Sequence, residues 1–304
     1  MRKIFFTGGA GLLSLNWSIY CEEKWEIFLG TFNRNISPWF GQTISLSQSQ
    51  SVAALTDIIV KISPDVVVNS AALTNIEFCE QHPMDAHRSN VDFACNVATA
   101  CNQLKIPLVH ISTDHLFDGT VANVTEEEDP CPLNVYAQTK ADAEIKVLNM
   151  CKKAIIIRTN FFGWGTSYRP SFTDRIIEEL SHGRPFYGFK DVFFTPILVL
   201  DLAKCIFQII DNGLHGIFNI SSDHRISKYE FALSVARVFD LPQSLVKPIS
   251  IRDKPDLVVR PSDMSLSNAK VSKLLMREIG SAEDCLRRLR NQSTNNSYKK
   301  LLNL

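Results

Sequence analysis

The sequence predicts an α/β protein: a doubly wound parallel sheet with a second, smaller mixed α/β lobe. Three observations carry this. Short apolar runs rich in β-formers alternate with helix-length segments through about residue 160, and such alternation favours parallel βαβ units with helices on both faces. The first apolar run stops at a glycine turn, Gly8-Gly9-Ala10-Gly11. Beyond residue 160 the pattern changes to helical stretches separated by Gly- or Pro-marked loops. The expected division is 1–160 for the sheet domain, with 195–220 returning to it, and 161–304 for the second lobe and the C-terminal tail.

Each element has a local reason. Residues 3–7 form an apolar, β-prone run that reads as a buried strand. Residues 12–23 are helix-length, 26–31 give a second strand, and 44–46 a weak third. In 51–62, Val52, Leu55, Ile58, Ile59 and Ile62 recur at helical spacing. Residues 65–69 read as a buried strand entered through Pro64; 86–104 as a helix; 107–112 as the next strand. A polar loop is expected over 118–132, a helix over 135–150, and a strand over 154–158 around three consecutive isoleucines. Further helices are expected at 173–181, 199–211, 227–239 and 267–276. Residues 291–304 are polar with two lysines and read as a frayed tail.

Composition excludes several functions. Lys+Arg and Asp+Glu are both 32, so the formal charge is zero. A neutral chain has no bulk pull toward nucleic acid or an anionic membrane. No run approaches the roughly 18 apolar residues of a membrane span. The eight cysteines show neither Cys-x-x-Cys nor zinc spacing, so they read as reduced, structural thiols in a cytoplasmic protein, with no metal expected. Arg2 and Lys3 before an apolar run loosely mimic a signal peptide, but glycines interrupt the run, and a strand followed by a turn accounts for it better. The acidic run Glu126 to Asp129 reads as a solvated loop.

Two motifs carry chemistry. Gly8 and Gly11 hold the first two positions of a Gly-x-x-Gly-x-x-Gly loop, with Ser14 third and Leu12 and Leu13 opening the helix. A glycine turn between strand and helix exposes backbone N–H groups to a pyrophosphate; the same residues also read as a plain turn. After the second strand, Gly30-Thr31-Phe32-Asn33-Arg34 has no acid for ribose hydroxyls, and Arg34 suits a 2′-phosphate, which favours NADP(H) over NAD. Farther on, Ser112 and Thr113 end a strand, at the sheet edge where ligands bind. Tyr136 and Lys140 are four residues apart, on one helix face. An ammonium there is expected to lower the phenol pKa and equip Tyr136 as a proton donor.

In these stretches the chain resembles the extended short-chain dehydrogenase/reductases, and among them the dTDP-4-dehydrorhamnose reductases. The matching residues are Thr7 to Leu13, Asn69-Ser70-Ala71-Ala72-Leu73-Thr74, Ile111 to Gly119, Tyr136 to Lys140, Arg158 to Gly163 and Arg260-Pro261-Ser262. The resemblance implies a Rossmann domain and an NADPH-dependent reductase of the C4 ketone of a nucleotide-linked 6-deoxy sugar. It implies that Thr113 holds the substrate carbonyl, that Tyr136 protonates it, and that Lys140 lowers the tyrosine pKa and holds the nicotinamide ribose. Asn69, Ser70, Ala71 and Ala72 would line the cofactor. Thr74, Asp114, Phe161 and Arg260 would meet the substrate, Arg260 at its phosphates. Asn90 matches a family asparagine near the active site and reads equally as a polar helix residue. Ser14, the absence of an acid at Leu46-Ser47, and His115-Leu116 depart from the family pattern.

The resemblance leaves other functions open. One is a non-catalytic NADP-binding regulatory subunit like the methionine adenosyltransferase β subunit. Another is a sugar-nucleotide dehydratase or epimerase, weakened because His115 stands where dehydratases carry glutamate. The expected partner is a nucleotide-sugar substrate, with a homodimer as the expected assembly.

Overall fold

Three consecutive apolar residues end the first strand, β1 (Arg2–Phe6), and all are buried: Ile4 and Phe6 in one core, Phe5 in another. Neighbouring side chains of a strand point to opposite faces. A strand apolar at every position therefore needs cover on both sides. The structure, a computed structural model describing residues 1–21, 24–294 and 296–302, repeats that division strand after strand. After α1 (Leu12–Cys21) come β2 (Trp25–Thr31), β3 (Gln42–Ser45), α2 (Val52–Ile62) and β4 (Val66–Asn69). Then follow α3 (Ile76–Gln81), α4 (Pro83–His87), α5 (Phe93–Leu104), β5 (Leu108–Ile111), α6 (Val135–Met150) and β6 (Ile155–Arg158). Val66, Val68, Val109, Ile111, Ile155 and Ile157 join the first core; Val67, Leu108 and Ile156 join the second. Helices α2, α5 and α6 cover the second core through Leu55, Ile59, Phe93, Val97 and Val147.

The remaining chain runs β7 (Phe161–Phe162), α7 (Phe172–Ser181), β8 (Phe186–Phe189), β9 (Phe193–Phe194), β10 (Ile197–Leu198), α8 (Val199–Asp211) and β11 (Gly216–Asn219). It ends with β12 (Ile226–Ser227), α9 (Lys228–Val238), β13 (Val246–Ile249), α10 (Ala269–Leu275), α11 (Ala282–Gln292) and α12 (Asn296–Leu302). Strand β11 lies beside β6, which completes a seven-stranded sheet in the order β3-β2-β1-β4-β5-β6-β11. Every pairing in it is parallel. The order reverses between β1 and β4, and in such sheets the ligand crevice lies there, beyond the carboxyl ends of the strands. Helices α1 and α8 cover the first face, through Leu15, Trp17, Leu202 and Ile206 among others. The second lobe uses the short pairs β7–β10, β8–β13 and β9–β12, around a set of phenylalanine rings. Phe172 stacks on Phe231 at 5.8 Å, and Phe162 and Phe194 meet Phe231 edge-on.

Two sequence expectations change, and a third extends past the described residues. The helix expected over 12–23 is described to Cys21, and Glu22 and Glu23 lie outside the described residues. The single helix expected over 86–104 is α4 and α5 joined by a π-helical turn, Arg88–Asp92. The frayed tail expected over 291–304 is a correction. Residues 296–302 form α12, with Tyr298 5% and Leu301 0% exposed in the first core. Two apolar residues three apart share one helix face, and polar neighbours hid them; Asn295, Asn303 and Leu304 lie outside the described residues. Helix α11 was not expected either, although Ser281 and Asp284 form a capping box at its start.

Candidate active site

At the crevice the β1–α1 turn passes against the end of β4. A Cβ on Gly8 would sit 2.7 Å from the carbonyl of Ser70, so only glycine fits. Ser14, in the third loop position, is fully buried. Its hydroxyl donates to the Gly8 carbonyl at 3.0 Å and lies 3.0 Å from Ser70 Oγ. The serine thus ties helix, loop and strand end together where a glycine would leave a gap. Helix α1 has no acidic residue in its first turn. First-turn amides have no partner inside the helix, and Leu12 and Leu13 line the cleft.

That cleft is a cavity of about 360 Å³ between the sheet and the second lobe. Its lining brings together Gly8, Gly11, Leu12, Leu13, Ser70, Ala72, Thr74, Thr113, Asp114, Tyr136, Lys140 and Phe161. A groove of about 210 Å³ shares Gly8, Gly11, Ser70 and Ala72 with it and adds Ala71, Thr31, Phe32 and Arg34. The Arg34 guanidinium stacks 4.0 Å from the Tyr168 ring, whose hydroxyl donates to the Ala10 carbonyl at 3.1 Å. Asn69 and Arg260 line neither space. Asn69 is buried behind the loop and accepts from Thr7 Oγ1 at 2.7 Å. Arg260 pairs with Glu77.

The chemistry-bearing side chains sit where β5 ends and α6 begins. Asn134 caps α6 by accepting from Ala137 N at 2.9 Å, which sets the helix start and so the face carrying Tyr136 and Lys140. The Thr113 hydroxyl lies near the Tyr136 phenol and both line the cavity. Burial pushes its phenol up to about 12; the Thr113 contact opposes this and Asp114 adds to it. This corrects the expectation that Lys140 lowers the phenol pKa: desolvation wins. Lys140 donates to the Ile111 carbonyl at 2.7 Å. Burial pushes its ammonium down to about 8, against the pull of Glu144 one turn on. Glu144 is itself held by Arg158, at 2.8 Å from Nη2, in a pair nearly closed to solvent. Asp114 accepts from Asn160 Nδ2 at 2.7 Å and from Thr113 Oγ1 at 3.3 Å. Ser112 lines the cavity, and its hydroxyl is buried without a partner among the described residues.

Of the other residues near the site, sequence pointed to Asn90 and His115 and missed Arg169, Ser171 and Lys228. Asn90, on the π-helical turn, accepts from Leu73 N at 2.7 Å and donates to Leu73 O and Thr139 Oγ1, so it clamps the loop after β4 onto α6. Arg169 and Ser171, in the loop that sequence marks only by glycine and proline, line the cavity, and Arg169 donates to Thr74 Oγ1 at 2.9 Å. Lys228 starts α9, with Nζ 3.3 Å from the Phe194 ring centroid. Burial pushes it down to about 8, against the pull of Asp114. Nothing in the sequence around Lys228 signals that placement. His115 meets the Tyr136 ring edge-on at 5.8 Å, and burial lowers its pKa.

Comparison with known proteins gives the family and the fold. The family model described as the RmlD substrate binding domain matches residues 1–294. The rat protein methionine adenosyltransferase 2 subunit beta is 29% identical over 293 residues, covering 90% of this chain and 82% of the rat protein. The probable low-salt glycan biosynthesis reductase Agl14 of Haloferax volcanii is 26% identical over 275 residues, covering 88% of this chain and 90% of its own. The crystal structure of a dTDP-4-dehydrorhamnose reductase from Bacillus anthracis in complex with NADP superposes with a TM-score of 0.81 at 22% identity. That match covers 96% of this chain and all of the other, and it carries the fold. Among the described residues no helix is long and apolar enough to cross a membrane, and no cluster of metal-ligating side chains is found.

Proposed function

The chain belongs to the RmlD substrate binding domain family, and on that premise we propose that it is an NADPH-dependent reductase of the C4 ketone of a nucleotide-linked 6-deoxy-4-keto sugar. The observation that carries this reading is the cavity wall on which Thr113, Tyr136 and Lys140 face the glycine loop. The residues fit the cofactor. The first-turn amides at Leu12 and Leu13 suit a pyrophosphate. The groove beside Arg34 is lined by no carboxylate among the described residues, which favours a 2′-phosphate over free ribose hydroxyls. When bound, NADPH supplies the hydride.

The protein's own groups do the rest. Thr113 polarises the ketone by hydrogen bonding. A phenol with a pKa of about 12 is fully protonated at neutral pH, as a proton donor must be. The alkoxide formed at C4 is far more basic than phenolate, so transfer from Tyr136 runs downhill. Lys140, one helical turn away, supplies a cation near the phenolate that results. Phe161, Arg169 and Thr74 border the sugar side of the cavity. The second reading, a regulatory subunit that binds NADP without turnover, is favoured by the 29% identity to the rat subunit.

One assay separates them. Purified protein given NADPH and a panel of nucleotide-linked 6-deoxy-4-keto sugars, dTDP-4-dehydrorhamnose among them, consumes NADPH with at least one if it is the reductase, and Tyr136→Phe lowers kcat by about 10²–10⁴-fold. NADPH binding without oxidation across a panel of 4-keto sugar nucleotides overturns the reductase and leaves the regulatory subunit.

A further inference from the structure

A line of polar groups runs inward from the cleft behind Lys140. Thr7 Oγ1 lies 2.7 Å from Asn69 Oδ1, Asn69 Nδ2 lies 3.0 Å from His110 Nδ1, and His110 Nε2 lies 3.5 Å from Lys140 Nζ. None of the four residues is more than 2% exposed. They come from four places: the end of β1, the end of β4, β5 and α6.

Hydrogen counting constrains this line. A neutral imidazole has one donor nitrogen and one acceptor, and an ammonium has three donors and no lone pair. If the Asn69 amide nitrogen donates to Nδ1, the ring hydrogen sits on Nε2 and points at Lys140. Only a neutral amine can accept it. With the Asn69 amide turned over, the opposite sense closes: the Lys140 ammonium donates to Nε2, Nδ1–H donates to the Asn69 oxygen, and the Asn69 amide donates to Thr7 Oγ1. An imidazolium, with two donors, satisfies neither sense, and burial keeps the His110 pKa well below its ordinary value.

We propose that His110 is a positioning residue for Lys140, and that the Thr7–Asn69–His110–Lys140 chain reverses its hydrogen-bond sense when Lys140 gains or loses its proton. The inference deepens the reductase reading, on which it rests for the place of Lys140 beside the cofactor. The proton exchanges through the cleft, which Lys140 lines. The groups that bear on the Lys140 charge are Glu144 on its own helix, Arg158 on β6 through Glu144, and His110 on β5. At the far end the reversal changes Thr7 from donor to acceptor, next to Gly8 of the loop.

The test uses the whole, ligand-free protein, labelled with ¹⁵N in histidine rings and ¹³C at lysine Cε. NMR follows both from about pH 6.5 to 9.5, a range that brackets the Lys140 titration without reaching the phenol. His110 is expected to carry its hydrogen on Nδ1 below the Lys140 midpoint and on Nε2 above it, with one shared midpoint. A single tautomer through the Lys140 titration overturns the proposal. His110→Phe, which removes the acceptor, is expected to lower the Lys140 midpoint by about one pH unit or more. His110→Gln, which keeps an acceptor, is expected to restore it to within about half a unit. An unmoved midpoint in the Phe variant also overturns the proposal. NADPH binding is measured on the same wild-type sample. Tautomer exchange without NADPH binding upholds this inference while sinking the reductase reading.

Discussion

Two lysines lie near the site, Lys140 on the cleft wall and Lys228 close to Asp114 on the lobe side, and burial pushes both down to about 8. They are held differently. Lys140, on the sheet side, donates to a backbone carbonyl and borders the His110 ring. Lys228, on the lobe side, rests over Phe194 at 3.3 Å and Phe172 at 5.3 Å. Its ammonium meets no hydrogen-bond acceptor among the described residues, while Asp114 attracts it and Arg260 repels it. A similar downward shift therefore accompanies unequal fixation. A cation fixed by directional bonds is suited to placing a reacting group. A cation resting on ring faces keeps its donors for whatever enters.

The comparison can be broken by substitution. The largest effect is expected from Lys140→Met: kcat for NADPH oxidation falls by about 10²-fold or more with little change in sugar-nucleotide KM. Lys228→Met should act in the other direction, raising KM about tenfold with kcat little changed. If both variants show the same kcat-to-KM split, the two lysines do not differ as their contacts indicate.

Stability sharpens the contrast. A lysine with a pKa of about 8 in the fold and 10.5 in the unfolded chain binds its proton more weakly when folded. Folding is thus penalised below about pH 8, and the penalty disappears as pH rises toward the unfolded value. Lys228→Met should stabilise the protein at pH 7 by on the order of 1–2 kcal/mol, given its partial exposure. That difference from wild type should close between about pH 8 and 10.5, read by urea unfolding at several pH values. Taking the difference cancels the buried thiols, such as Cys205 and Cys285, which burial pushes up to about 11 and which act on both proteins alike. The smallest effect is expected at Ser14→Ala, where losing the bonds to Gly8 O and Ser70 Oγ costs about 0.5–1.5 kcal/mol. No change there would mean that the serine merely fills space.

The sheet domain was legible because each of its signals is local. Three isoleucines in a row, or valines entered through a proline, leave few alternatives to a buried strand. The glycine loop and the Tyr136/Lys140 spacing carry their geometry in sequence, so the cavity gathers most of the residues they pointed to. The lobe was less legible because its strands are two to four residues long and pair across distant segments. The direction of the Tyr136 pKa shift differs from the expectation for a similar reason. Spacing shows the neighbouring lysine, but the dominant influence is burial, which only the assembled fold reveals. Lys228 comes close to Asp114 by tertiary placement alone, and the two core residues of α12, Tyr298 and Leu301, stand among polar neighbours in the sequence.

The chain leaves the sheet after β6 and comes back to it through β10 and α8, and at that crossing β7 and β10 are zipped side by side, Phe161 opposite Ile197 and Phe162 opposite Leu198. Outbound and inbound passages thus form one stiff neck rather than two loose threads. Phe161, built into that pair, ties the wall of the cavity directly to the crossing.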